Sequence, residues 1–163
     1  MQKVEVYLLT GSNLGDREGA LKSAENHIRE DIGEIKAISK IYETEAWGKT
    51  DQPSFYNQVL LIDTTLSPIE ILNRINTIEE KMGRKRMEKW AERIIDIDIL
   101  YYQDEIVVTK DLKIPHPEIQ NRRFTLIPLS EIAQDFRHPV LNVSNKRLLE
   151  MCADQLNVRP IGR

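Results

Sequence analysis

From Lys3 to Thr10, apolar Val4, Val6 and Leu8 share one face at the two-residue period of a strand. Gly11-Ser12-Asn13-Leu14-Gly15 breaks that period as a turn. From Asp16 to Asp31 the period becomes helical: Leu21, Ala24, Ile28 and Ile32 recur on one stripe, while Asp16 and Glu18 suit the positive end of the helix dipole. Glu34 to Glu43 reads as a second strand, Ala46 to Pro53 as a loop, and Phe55 to Leu66, rich in aromatic and branched residues, as a third strand. Ser67-Pro68-Ile69-Glu70 then announces a helix, with Ser67 and Glu70 as a capping box and Pro68 in the first turn. Its stripe of Ile71, Leu72, Ile75, Ile78 and Met82 ends at the stop Gly83. Ile94 to Tyr102 reads as a buried strand. Asp104 gives a turn and Ile106 to Val108 can close a hairpin. Ile114-Pro115-His116-Pro117 is not helical, Asn121 to Ile132 mixes loop with short helix, and Ser144 to Leu156 predicts a last helix.

The order strand, helix, strand, strand, helix, strand predicts an α+β fold. It is a ferredoxin-like βαββαβ core whose antiparallel sheet carries helices on one face, followed by C-terminal additions. No linker or internal repeat divides the 163 residues, so one domain over 1–163 is expected. Hydrophobic residues make up 40% and charged residues 30%, which excludes collagen-like, low-complexity and wholly disordered classes. No apolar run approaches the ~20 residues that span a bilayer, and the N-terminus lacks the core of a signal peptide. The single cysteine, Cys152, excludes a disulfide framework and a cysteine-based zinc site. A soluble, cytoplasmic protein without a membrane partner is expected.

Net charge is −3, a poor coating for nucleic acid. The distribution is more informative. Between Lys81 and Arg93 stand Lys81, Arg84, Lys85, Arg86, Lys89 and Arg93 against only Glu88 and Glu92. Such a stretch is either a solvated loop or an anion site. Directly after it comes Ile94-Ile95-Asp96-Ile97-Asp98-Ile99. In a strand both carboxylates point to one face, and the isoleucines to the other. Two like charges side by side repel, and their burial costs desolvation. Either this sheet face is solvated or a cation compensates, and carboxylate oxygens suit Mg²⁺, which commonly shares a phosphate substrate. Paired with the basic stretch, the aspartates point to phosphoryl chemistry on a nucleotide.

Other residues break their local pattern. Glu79 lies on the apolar stripe of its helix, at the core edge or serving a site. His116, between two prolines, is rigidly placed for either a structural or a functional role. Phe55 and Phe124 would ordinarily be core, and Trp47 and Trp90 sit in loop contexts that suit covering a ligand. Asn57, an amide in an apolar strand, either reads a heterocycle edge or pairs within the sheet. Neither a G-x-x-x-x-G-K-[ST] nor a G-x-G-x-x-G phosphate loop occurs.

Taken together, Gly11-Ser12-Asn13-Leu14, Asp51-Gln52-Pro53 through Asn57, Gly83-Arg84 through Arg93, Asp96-Ile97-Asp98-Ile99, and Pro115-His116 through Asn121-Arg122 and Phe124 resemble the 6-hydroxymethyl-7,8-dihydropterin pyrophosphokinase family of folate biosynthesis. The resemblance runs from Gly11 to about Ile132. It implies transfer of diphosphate from ATP to the hydroxymethyl oxygen of the pterin, leaving AMP. It implies two Mg²⁺ held by Asp96 and Asp98, with Asp98 also a candidate to take the hydroxyl proton, and catalytic Arg84 and Arg93 on a loop closing over the phosphates. Glu79, Arg86, Trp90, Ile99, His116 and Arg122 would surround the nucleotide. Phe55 and Phe124 would sandwich the pterin, with Asn57 and the backbone near Thr44 and Trp47 reading its edge. The chain differs from the family's usual pattern at Ala91-Glu92, where Gly-Pro is common, at Phe55, where Tyr is common, and at Glu45, where Pro is common. The implied partners are ATP and the pterin, with no nucleic acid, and the chain is expected to be a monomer. An RNA-binding module on a ferredoxin-like sheet, or another two-metal nucleotidyl or phosphoryl transferase, is the alternative.

Overall fold

The computed structural model describes residues 2–45, 53–83 and 94–161. Strand β1 (Val4–Ser12) leads into helix α1 (Arg17–Asp31). Strands β2 (Glu34–Ile38), β3 (Tyr42–Thr44) and β4 (Phe55–Thr64) follow, then helix α2 (Pro68–Lys81) and strand β5 (Asp96–Tyr102). A small hairpin of β6 (Val107–Val108) and β7 (Lys113–Ile114) precedes a short 3₁₀ turn at Ile119–Asn121. Helices α3 (Arg123–Ala133) and α4 (Asn145–Met151) and strand β8 (Val158–Pro160) complete the chain.

The helix starts are those the sequence announces. Asp16 caps α1 by accepting from the Gly19 N–H, and Ser67 with Glu70 forms the full capping box of α2. Gly83 follows α2 with φ +90°, a left-handed conformation that ends the helix at little cost to glycine.

The main sheet has six strands, in the order β5-β1-β4-β3-β8, with β2 also paired to β4. Its neighbours are antiparallel throughout. The β1-α1-β2/β3-β4-α2-β5 portion is the expected ferredoxin-like core. The second strand is broken in two, because Ser39 replaces a ladder contact with its side chain. The Val59 N–H donates to Ser39 Oγ at 2.9 Å, and Ser39 Oγ donates to the Lys40 carbonyl at 2.7 Å. Strand β1 also runs further than predicted, through Gly11 and Ser12, and the last helix is shorter, ending at Met151.

Each face of the sheet has its own core. Val6, Leu8, Leu60, Ile62, Ile95, Ile97 and Ile99 pack with Leu21, Ala24 and Ile28 of α1 and with Ile71, Ile75 and Ile78 of α2. On the opposite face, Tyr7, Leu9, Val59, Leu100 and Tyr101 pack with Leu126 and Leu129 of α3 and Leu148 of α4. Helices therefore cover both faces, where the sequence suggested one: the C-terminal additions form a second helical layer. They leave part of that face uncovered, beside the N-terminal end of α3.

Candidate active site

Register alone assembles the floor of this opening. Leu9 on β1 opposes Asp98 on β5 and Val59 on β4, while Gly11 opposes Asp96 and Asn57. On β3, Tyr42 opposes Asn57 and Thr44 opposes Phe55. Cross-strand partners share a face, so Asp98, Asp96, Leu9, Gly11, Asn57, Phe55 and Thr44 all lie on the α3 side. Ile95, Ile97 and Ile99 point the other way and are buried in the α1/α2 core. The carboxylates stand on the edge strand β5 and Thr44 on β3, roughly 14 Å away at one strand spacing per step.

The floor and the start of α3 enclose a cavity of about 660 Å³, within the range of small-molecule sites. Asn121, Arg122 and Phe124 wall it from the α3 side, and Ala153, Asp154 and Leu156 from the segment after α4. The Arg122 guanidinium lies over the Phe124 ring, 5.5 Å from its centroid. Phe55 and Phe124, predicted to face one another across a planar ligand, both line the cavity, the first from β4 and the second from α3.

Two polar groups on this floor are poised for something other than the fold. Asn57 is 5% exposed, and its Nδ2 donates to the Thr10 carbonyl at 3.2 Å, but its Oδ1 has no partner. Thr44, 3% exposed, likewise has a buried Oγ1 without a partner. A buried polar atom left unpaired costs on the order of 1–3 kcal/mol, so a ligand that hydrogen-bonds both would recover that cost. A flat heterocycle with donors and acceptors along its edge fits: aromatic faces above and below, amide and hydroxyl at the rim.

At the β5 end, Asp96 and Asp98 are half-buried on adjacent same-face positions, about 7 Å apart along the strand. This donor set, two hard carboxylates open to a cleft, suits Mg²⁺ completed by water and phosphate oxygens. Among the described residues, no third acidic, histidine or cysteine side chain joins them in a metal-binding group.

The remaining predicted residues are distributed differently. Glu79 is 5% exposed on α2, across the sheet from the cavity, and its Oε2 accepts from the Ile97 N–H at 2.9 Å. It thereby occupies a donor of the strand that carries both aspartates. Ile99 belongs to the α1/α2 core. His116 stands outside the cavity lining. Its N–H donates to the Leu100 carbonyl at 3.0 Å, and its Nδ1 accepts from the Glu118 N–H at 3.1 Å. Burial holds its pKa below the ordinary histidine value; Asp98 pulls it upward and Arg122 reinforces the fall. Trp47, Arg84, Arg86, Trp90 and Arg93 lie outside the described residues.

The ends of the β3–β4 connection are held by a charged cluster on the other sheet face. Arg17 donates to the carbonyl and hydroxyl of Ser54 at 2.8 and 2.7 Å, and lies 4.0 Å from the Tyr56 ring centroid. Glu43 accepts from Ser54 and from Arg159. The Ser54 hydroxyl, then Arg159, hold the Glu43 carboxyl below its ordinary pKa.

Sequence reasoning missed several lining residues. Gly11 reads as part of a turn, although a glycine inside a strand commonly marks close approach of another group, and that is the available signal. Leu9 looks like any strand residue. Ala153, Asp154 and Leu156 carry no local signal at all, because only tertiary pairing of β8 with β3 brings them to the cavity.

Comparison with known proteins gives a consistent picture. Residues 7–134 match the family described as 7,8-dihydro-6-hydroxymethylpterin-pyrophosphokinase (HPPK). The chain is 46% identical over 135 residues to a 2-amino-4-hydroxy-6-hydroxymethyldihydropteridine pyrophosphokinase of Aquifex aeolicus, covering 83% of this chain and 84% of the relative. It is 40% identical over 129 residues to the Bacillus subtilis protein of that name, covering 78% and 77%. In longer proteins it corresponds to one part. It covers 22% of the folic acid synthesis protein FOL1 of Dictyostelium discoideum, at 40% identity over 88% of this chain. It covers 42% of the crystallised Plasmodium falciparum HPPK-DHPS chain with pteroate, over 92% of its own length, with a TM-score of 0.74 and 18% identity. The last likeness is one of fold.

Proposed function

Because this chain belongs to the 7,8-dihydro-6-hydroxymethylpterin-pyrophosphokinase family, we propose that its sheet-floored cleft is where the family reaction takes place. The chain is an ATP-dependent pyrophosphokinase of folate biosynthesis. The hydroxymethyl oxygen of the pterin attacks the β-phosphorus of ATP, the bond from that phosphorus to the α-phosphate oxygen breaks, and AMP leaves.

The observation that supports this siting is the polarity of one cleft on one sheet face. Paired carboxylates stand at the β5 end, while two aromatics and two unpartnered polar groups stand toward β4 and β3. Phe55 and Phe124 stack on the pterin, and Asn57 with the strand around Thr44 reads its edge. Asp96 and Asp98 are the residues that would hold Mg²⁺, two ions on this reading. When bound, that metal neutralises charge on the phosphate oxygens during transfer. On this reading either Asp98 or solvent takes the hydroxyl proton. Arg122, whose guanidinium lies over Phe124, contacts the nucleotide on this reading, and His116 flanks Asp98. Glu79 acts from behind the sheet, holding β5 by its Ile97 N–H. By the family resemblance, Arg84 and Arg93 would supply positive charge to the transferring phosphates, Arg86 and Trp90 would contact the nucleotide, and the backbone near Trp47 would read the pterin edge; all five lie outside the described residues. The catalytic unit is the single domain 1–163, a cytoplasmic monomer on this reading, and among the described residues no helix is long and apolar enough to cross a membrane.

RNA binding fits less well. The sheet face that such a module would present is covered by α3 and α4, and its open part carries two aspartates.

Incubation with ATP, Mg²⁺ and 6-hydroxymethyl-7,8-dihydropterin tests the reading. The expected products are AMP and the pterin diphosphate, with no ATP consumption when the pterin is omitted. Release of ADP, or AMP formation without the pterin, would overturn it.

A further inference from the structure

The wall of the cleft farthest from the carboxylates is made by residues beyond the family match, which ends at residue 134. Ala153, Asp154 and Leu156 line the cavity, and the strand that follows them, β8, is zipped to β3, with Val158 opposite Thr44. This segment is bonded to one point of the opposite wall, the first residue of α3. The Arg123 N–H donates to Asp154 Oδ2 at 3.0 Å, and Arg123 Nε donates to the Leu156 carbonyl at 3.3 Å. The other oxygen of the same carboxylate, Asp154 Oδ1, accepts from the Leu156 N–H at 2.9 Å.

The bond matters because α3 has no cap of its own. Its N-cap position is Arg122, whose side chain makes no capping hydrogen bond. The first N–H groups of a helix have no intrahelical partner, and a carboxylate there also meets the positive end of the dipole. Asp154 supplies that cap from 31 residues away in sequence. The turn it fastens carries Arg122 and Phe124, both in the cavity lining.

We propose that Asp154 is a positioning residue for the acceptor pocket. It clasps the start of α3 to the C-terminal strap, fixes the Phe124 ring over the floor residues Phe55 and Asn57, and turns Leu156 inward as the end wall. The strap thus sets the affinity and the length limit of the pocket for the heterocycle, and reaches the nucleotide side only through Arg122 on the same turn. This inference rests on the assignment of the pterin to the Phe55/Phe124 end.

The test uses the full chain with Asp154→Ala and Asp154→Asn. Affinity for fluorescent 6-hydroxymethylpterin is measured with Mg²⁺ and α,β-methylene ATP present, alongside affinity for that nucleotide alone, steady-state constants and thermal unfolding. Asp154→Ala should weaken pterin binding about tenfold, on the order of one lost charge-assisted hydrogen bond. Nucleotide affinity should fall much less than pterin affinity. Asp154→Asn, which keeps an acceptor but not the charge, should fall between wild type and alanine and serves if the alanine variant unfolds. Leu156→Ala should admit pterins bearing added bulk at the ring end more readily than wild type does. Equal weakening of pterin and nucleotide, or no weakening in either Asp154 variant, would overturn the proposal. Wild-type protein that binds nucleotide but no pterin would instead overturn the underlying assignment of the cleft, which separates the two failures.

Discussion

Gly11 and Asn57 face one another across β1 and β4, and the glycine is what allows the amide to lie flat on the sheet. A Cβ at residue 11 would fall well inside van der Waals contact of Asn57 Nδ2. The substitution Gly11→Ala therefore has no room unless Asn57 rotates, which breaks its bond to the Thr10 carbonyl and moves its unpartnered oxygen. Overpacking of this kind costs on the order of 1–3 kcal/mol. Thermal unfolding should show that loss, and pterin affinity should fall about tenfold or more in a binding titration. Native pterin affinity in a folded Gly11→Ala protein would remove Asn57 from the recognition site.

Asp96→Asn and Asp98→Asn each delete charge from the carboxylate pair that β5 contributes to the cavity. Turnover should fall by roughly 10³-fold or more, as expected when electrostatic stabilisation of the transferring group is lost. The fold should persist, with melting within about 4 °C of wild type, since the change relieves like-charge repulsion on a half-buried face. Steady-state assays at saturating Mg²⁺ measure the first effect and calorimetry the second. Turnover within about tenfold of wild type in either variant would reject the metal-site assignment.

Phe124→Ala removes one face of the aromatic pair. Pterin binding should weaken by about 2 kcal/mol, roughly thirtyfold, from lost stacking and burial. Nucleotide affinity should change much less, because the opposing aromatic Phe55 is on β4, two strands from the aspartates of β5. Parallel titrations decide. A similar loss for both ligands would mean that the variant perturbs the fold rather than the pocket.

His138 makes acid stability testable. It is 5% exposed, its Nδ1 accepts from the Val140 and Leu141 N–H groups at 3.2 and 3.0 Å, and its ring meets Tyr101 edge-on. Burial lowers its pKa from the ordinary histidine value. The unfolded chain then binds the proton more readily than the folded one. This contribution to stability is complete above about pH 6.5 and declines as the pH falls below it. His138→Asn, whose amide oxygen can accept the same N–H groups, should remove part of the decline between about pH 6.5 and 5. Denaturant midpoints across that window provide the check. An undiminished slope in the variant would assign the acid sensitivity elsewhere.

The elements legible in the sequence were those written in local periods and caps. The Ser67 and Glu70 box fixed the start of α2, and the alternation of Asp96 and Asp98 with isoleucines placed both carboxylates on one face before any partner strand was known. The break between β2 and β3 was hidden because it depends on the Ser39 hydroxyl taking over a ladder bond from β4. Strand β8 was hidden too: Val158-Arg159-Pro160 is too short to show a period, and its pairing with Tyr42, Glu43 and Thr44 spans more than a hundred residues of chain. Half of the cleft was legible for the same reason that half was not. Its floor follows from strand parity, whereas its end wall follows from where the chain returns after α4.

The β1–β5 ladder shifts register between Tyr7 and Leu8, which oppose Tyr101 and Ile99 and leave Leu100 as an extra residue on β5. One extra residue on β5 lets Leu100 and Tyr101 both join the α3/α4 core, while Tyr102 joins the other. Strand β5 is thus two half-strands of opposite phase, an active half carrying the aspartates and an anchoring half carrying the tyrosines. Deleting Leu100 would make the ladder regular, with Ile99 and Tyr101 opposite the consecutive residues Leu8 and Tyr7, and would leave the carboxylates and both tyrosines on their present faces. What the extra residue adds is a second consecutive side chain, Leu100 beside Tyr101, in the α3/α4 core, so its deletion would cost packing there while the aspartates kept their side of the sheet.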